Sequence, residues 1–329
     1  MVVLLALVAC KNNTKAISEK TIQSENESKA DIKYPSDVIP FMDEFKILLG
    51  DGTYQDSLVN YAKDDFFYVE NDGATDWVVY KTPNSGITSR TSSNTRTELG
   101  QKAHWIPETG GKLTGTLKVM HVSTTGDATV SSSYSTVIGQ IHSDEGHENE
   151  PLKIYYKKFP GHTKGSVFWN YEINTAGDNS GRFDYSTPVW GHGFSVVGSS
   201  PDAYPAEPQD GIALGEEFSY EVNIYEGIMY LTFASKGHET IKFTKSLIKS
   251  DFATKEDIPQ QIIDSYASRR TVGVERDTAY AGELNYFKQG VYNQANGKST
   301  KSETYGGDIV KQYANGSYAE VWFRNATVG

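Results

Sequence analysis

Residues 286–294 read Tyr286-Phe287-Lys288-Gln289-Gly290-Val291-Tyr292-Asn293-Gln294 and set phenol, ammonium and amide side chains against an apolar alternation. An extended strand sends successive side chains to opposite faces. Tyr286, Lys288, Tyr292 and Gln294 then share one face, Gly290 leaves room between them, and Phe287 and Val291 pack behind. Two phenols, a cation and an amide on one sheet face suit a hydroxyl-rich anionic ligand. The same alternation also describes an ordinary strand with a polar solvent side.

Two other stretches have this character. Gln140-Ile141-His142 follows the apolar residues 134–139, and a strand there turns Gln140 and His142 one way and Ile141 the other. Arg96-Thr97-Glu98-Leu99 follows a Ser/Thr-rich run at 88–95, and Arg96 and Glu98 again share a face. Taken singly, a lone histidine is more often a surface or core residue than a catalyst, and an Arg-x-Glu pair is usually a solvated ion pair of small value.

Strand-like runs recur between turn signals at 77–80, 113–119, 166–173, 218–225, 229–233 and 319–324. In a chain of 329 residues with 30 glycines and 21 tyrosines, they predict an all-β fold, an antiparallel two-sheet sandwich of the jelly-roll type with a groove and a few short helices. Ser36 is placed to cap a helix running to Phe45, and Thr254 another running to Ala267. Residues 180–215 hold Tyr185, Trp190, Phe194 and Tyr204 among four prolines and read as a long, stiffened loop, which in a compact domain is usually functional. His192 within it reads as a loop histidine, and the acidic run 144–150 around His147 reads as solvated.

The net charge of −11 argues against a nucleic-acid partner, which needs a basic face. It does not exclude a polyanionic substrate, because exposed charges beyond about 10 Å are screened and Arg90, Arg96 and Lys288 can form a local basic groove. The single Cys10 excludes an intrachain disulfide and a cysteine zinc site. Residues 1–10 are apolar and end Leu7-Val8-Ala9-Cys10, the pattern of a bacterial lipobox without its basic n-region, so Cys10 is the expected lipidation site. The polar residues 11–33 read as a disordered tether to a domain at 34–329. A secreted or cell-envelope lipoprotein of a bacterium follows, with a possible outer-membrane lipid anchor and a monomeric domain.

Together and in this order, RTELG at 96–100, QIH at 140–142 and YFKQGVYNQ at 286–294 resemble the alginate lyases of polysaccharide lyase family 7. The opening YPSDVIPFMDEFKILLGDG resembles that family's domain start, so the likeness spans 34–329. Gly100 stands where the family's first motif ends in arginine, and Gln289 where it has alanine, on the strand face opposite the site. The resemblance implies cleavage of poly-mannuronate/guluronate by β-elimination. Arg96 and Gln140 would neutralise the uronate carboxyl, His142 would be the base and Tyr292 the proton donor. Arg90, Glu98, Tyr286, Lys288, Asn293 and Gln294 would contact substrate. No metal or other cofactor is called for. Ile141 in the central motif is the family's hint of guluronate acceptance, and a walled groove end would resemble its exo-acting members. Two other classes compete: a non-catalytic carbohydrate-binding lipoprotein of the same fold, and a glycoside hydrolase, which needs a carboxyl pair across the bond that no single strand face here supplies.

Overall fold

The computed structural model describes residues 32–89, 92–144, 149–176, 181–252, 254, 273–296 and 308–329. Cys10 with its leader, Arg90, His147 and the helix expected after Thr254 lie outside the described residues. Strands are numbered in chain order. One antiparallel sheet runs, in spatial order, β10 (Asp184–Trp190), β9 (Lys164–Glu172), β8 (Leu152–Lys157), β7 (Ser135–Ser143), β15 (Asn285–Asn293), β5 (Arg96–Gln101), β1 (Phe45–Leu48) and β2 (Tyr54–Gln55), with β11 (Ile212–Ala213) paired to β9. The other runs β14 (Ile241–Ser246), β13 (Ile228–Ser235), β12 (Glu217–Tyr225), β6 (Gly111–His121), β16 (Tyr318–Val328), β4 (Asp76–Pro83) and β3 (Phe67–Asn71). The expected two-sheet jelly roll is the observed architecture, and every predicted strand falls in one of these elements, with only Ile173 and Gln294 just beyond the ends of β9 and β15.

The sheets differ in how their sequences encode burial. In β12, Phe218, Tyr220, Val222 and Ile224 point inward while the residues between them face out. That is the alternation of a sheet with one wet face. In β5 all six residues are buried, including Arg96, Thr97, Glu98 and Gln101. The sheet holding β5 is covered on both sides, apolar towards the sandwich and polar on the outer face. Phe287, Val291, Leu99 and Ile141 supply the inner layer and join Leu117, Phe218, Tyr220 and Phe323 of the facing sheet in one core. Full burial of each such side chain is worth about 1.5–3 kcal/mol. A one-residue slip of β15 would turn Phe287 and Val291 outward, so the core layer sets the register that positions the polar face.

Gly290 has a local task. Between Gln289 and Tyr292, β15 carries one residue more than its partner β7, a bulge. Gly290 takes φ 138° there, and a Cβ on it would lie 2.6 Å from the Thr97 carbonyl oxygen. Only glycine takes this conformation at little cost.

Two expectations change. The first helix is one turn, α1 (Pro35–Val38), followed by a 3-10 turn at Met42–Glu44, and Phe45 already begins β1. Ile39 precedes Pro40, which disfavours helical backbone at the residue before it, and Ile39 is extended. The region 180–215 is not one loop. Its first part is the edge strand β10, where Pro188 is tolerated beside a register shift. Trp190 is a core residue, packed edge-on against Phe218 and Phe233. A second helix, α2 (Ile309–Ala314), is capped by Asp308, which accepts from the backbone of Val310 and Lys311. No helix among the described residues is long and apolar enough to cross a membrane.

Candidate active site

The outer face of the β7–β15–β5 trio forms the floor of a groove of about 430 Å³. Strand register brings the three sequence motifs together. Tyr286 stands opposite His142, Lys288 stands between Gln140 and Gly100, and Tyr292 stands opposite Arg96. Directly opposed residues in an antiparallel pair hold their Cβ atoms about 4.5–5.5 Å apart, so neighbouring strands deliver these groups to one place.

Glu98 is the hub. Its buried carboxylate takes Arg96 Nη1 at 3.1 Å and Lys288 Nζ at 2.7 Å, and it accepts the Gln140 amide N–H. Burial opposes its ionisation, but the Lys288 ammonium and the Arg96 guanidinium outweigh this and hold its carboxyl below the ordinary range. Burial, reinforced by the neighbouring guanidinium, pulls Lys288 down. Arg96 Nε and Gln140 Oε1 are buried without a hydrogen-bond partner among the described residues. The Arg96 guanidinium lies over the Tyr292 ring, 3.9 Å from its centroid. Two cations against one carboxylate leave the floor a net positive charge, so an entering carboxylate completes the balance.

His142 Nδ1 faces the Ser143 carbonyl at 2.8 Å. That carbonyl can only accept, so Nδ1 carries the hydrogen and Nε2 keeps its lone pair. Burial and the nearby Lys288 lower the imidazole pKa, while Glu150 and the Ser143 carbonyl pull it back up. The ring stacks on Tyr286, which stacks in turn on His104, with centroids 5.2 and 5.0 Å apart. Tyr286 is a wall of the groove, and burial raises its phenol pKa further from neutrality. The Tyr292 hydroxyl lies 3.2 Å from Ser92 Oγ, and its ring packs on Val137, Tyr155 and Phe168.

The other candidates sit elsewhere. Gln140 is almost fully buried and gives its amide to Glu98 beneath the groove floor. Asn293 is wholly buried and donates to Asn84, and Gln294 Nε2 donates to the Tyr292 carbonyl. Neither lines the groove. His192 closes its own loop, its Nε2 lying 3.1 Å from the Ala206 carbonyl. None of residues 191–211 lines the groove.

Four charged or aromatic lining residues were not among the sequence candidates. Lys46 of β1 pairs with Gly100, and its stem runs through the space a Cβ there would face. It has no carboxylate partner among the described residues. Tyr54 of β2 is about half exposed at the rim. Arg182 lies towards the β9–β10 end, held by Glu172 at 3.1 Å and by Asn149. Glu150, read as part of a solvated acidic run, is instead ion-paired to Lys153 at 3.2 Å and faces His142. Lys46 was the most accessible of these, since β1 reads Phe45-Lys46-Ile47-Leu48 with a cation opposite inward apolar residues.

A jelly-roll sandwich whose groove joins a paired-cation floor, an imidazole and a phenol suits an acidic, hydroxyl-rich ligand. Residues 40–329 match the alginate lyase family model. The chain belongs to the alginate lyases of polysaccharide lyase family 7, and it is an alginate lyase. It is 30% identical over 275 residues to an alginate lyase of Klebsiella pneumoniae, covering 74% of this chain and 76% of that protein. It is 71% identical to the crystal structure of the exolytic PL7 alginate lyase AlyA5 from Zobellia galactanivorans, with a TM-score of 0.87, covering 91% of this chain and 98% of that one. The crystal structure of the alginate lyase from Klebsiella pneumoniae shares the fold at 24% identity and a TM-score of 0.65, covering 90% of this chain and 98% of that one.

Proposed function

We propose that the enzyme degrades alginate from chain ends and accepts guluronate, with His142 as base and Tyr292 as proton donor. The observation that carries the roles is that His142 Nε2 and the Tyr292 phenol flank the Arg96–Lys288–Glu98 cluster. In β-elimination a base takes the C5 proton, the electron pair forms the C4–C5 double bond, and the C4 oxygen leaves with a proton. The C5 proton is weakly acidic because the adjoining carboxylate resists further negative charge. Buried donors fixed in advance stabilise that charge as it develops. Arg96 and Lys288 supply it, oriented by Glu98, and Gln140 stiffens the cluster from below. A phenol keeps its proton at neutral pH and can hand it to the leaving oxygen. The exolytic reading is supported by the 71% identity to an exolytic relative, and guluronate acceptance by Ile141.

The test is ultraviolet absorbance of the unsaturated product on separate polymannuronate and polyguluronate, with product sizes followed over time. Small products from the first minutes and turnover of polyguluronate are expected. A ladder of intermediate oligomers would refute exolytic action, and no turnover of polyguluronate would refute the substrate reading.

Lys46 makes a second prediction. A groove cation without a carboxylate partner is positioned for a uronate away from the reacting bond. Lys46→Gln should raise KM about 3–10-fold with kcat little changed, the effect of one charge-assisted contact. A fall in kcat at constant KM in steady-state kinetics would contradict this.

A further inference from the structure

The face of His142 that meets the groove also meets a carboxylate. Glu150 Oε1 lies 3.9 Å from His142 Nε2. This is too long for a hydrogen bond, so the lone pair of the neutral ring stays free to take a proton. Once Nε2 is protonated, the same geometry holds a positive charge against a negative one in a poorly solvated setting. An interaction stronger in the charged state than in the resting state accelerates the step that creates the charge.

Glu150 is firmly placed. The Ser143 N–H donates to the Asn149 carbonyl at 2.8 Å, tying the segment before β8 to the end of the His142 strand. Lys153 Nζ then holds Glu150 at 3.2 Å, Glu172 at 3.3 Å and Asp184 at 2.7 Å, while Arg182 Nε holds Glu172 at 3.1 Å. Two cations face three carboxylates. Burial drives the Glu172 pKa well up, whereas Lys153 outweighs burial at Glu150 and holds its carboxyl below the ordinary range. The Glu150 carboxylate, fixed in this cluster, is turned towards His142.

Among the described residues, every other charged group facing the imidazole has the opposite effect or is already neutralised. Lys288 of β15 and Arg96 of β5 disfavour an imidazolium. Glu98 of β5 is engaged by those same two cations. Tyr286 of β15 is a neutral phenol, and beyond it His104 is paired with Asp144 at 3.0 Å.

We propose that Glu150 is a positioning residue that sets the basicity of His142 by stabilising its imidazolium. The inference rests on the reading of His142 as base. In the step, the C5–H bond breaks, an N–H bond forms at Nε2, and the electron pair enters the C4–C5 double bond. The C4–O bond breaks, and its oxygen takes the Tyr292 proton. Glu150 neither gains nor loses a proton.

The test compares wild type, Glu150→Gln and Glu150→Asp by NMR titration of ¹⁵N-labelled histidine and by the pH profile of kcat/KM on polyguluronate. Removing the charge should lower the His142 midpoint by about one unit. The acid limb of the profile should follow it downward, and the plateau kcat should fall about 3–10-fold, because a weaker base abstracts more slowly. Glu150→Asp keeps the charge but draws it back, so an intermediate midpoint supports the proposal even if Glu150→Gln does not fold. An unchanged midpoint in every folded variant overturns the proposal and leaves the base assignment standing. A lowered midpoint with a fixed kinetic limb overturns the base assignment, and the proposal with it.

Discussion

His142→Ala should lower kcat on polyguluronate by about 10²–10⁴-fold, the range that a positioned general base contributes, while oligosaccharide binding stays close to wild type. Binding survives because the cations that meet the uronate carboxyl belong to β5 and β15, and their hub is Glu98, which does not need the imidazole. Polymannuronate is the internal control. Its C5 proton faces the other way, so the Tyr292 phenol is the nearer candidate base and the loss there should be smaller. The pH dependence follows from the direction of the His142 shift. Burial and Lys288 hold its pKa below the ordinary 6.5, so the neutral ring predominates at pH 6.5. The acid limb on polyguluronate therefore lies below that value and disappears together with the activity. Steady-state kinetics and calorimetric binding of a guluronate oligomer check both halves. Full retained turnover of polyguluronate would remove His142 from its role.

Glu98→Gln should be the most destabilising isosteric loss of a charge on the groove floor. The carboxylate has almost no exposure and faces two cations. Its removal leaves Arg96 and Lys288 buried against each other. Breaking a buried pair by deleting one partner costs about 3–5 kcal/mol, far more than the pair itself contributes relative to apolar residues. Activity should fall with stability, because Arg96 loses the contact that aims its guanidinium and Gln140 loses its acceptor. Urea denaturation measures the stability. A change within about 0.5 kcal/mol, typical of an exposed site, would mean that the two cations remain hydrated in the folded protein.

Much of the site was legible because strand periodicity is a local property. Tyr286, Lys288 and Tyr292 fell on one face, as did Gln140 with His142 and Arg96 with Glu98, and each pair projects as the alternation requires. The Arg96–Glu98 pair could be named from spacing alone. That Lys288 and Gln140 also converge on Glu98 could not, since they lie 190 and 42 residues away in sequence. The region 180–215 misled because proline and glycine content marks loops and edge strands alike, and only pairing with β9 distinguishes β10. Glu150 misled because an acidic run reads as solvated until Lys153 is placed beside it.

The sequence by itself determined the fold class, the three motif strands and the face each residue takes. These follow from side-chain alternation and from the large apolar surface that any other register would expose. Only the tertiary structure decided which strands are neighbours. With that came the choice of Glu98 as hub, the burial of Gln140 beneath the groove floor and of Asn293 away from it, and the entry of Lys46, Tyr54, Arg182 and Glu150 into the groove. The reason is physical: charge balance and desolvation act through distance in space, and sequence separation carries no record of that distance.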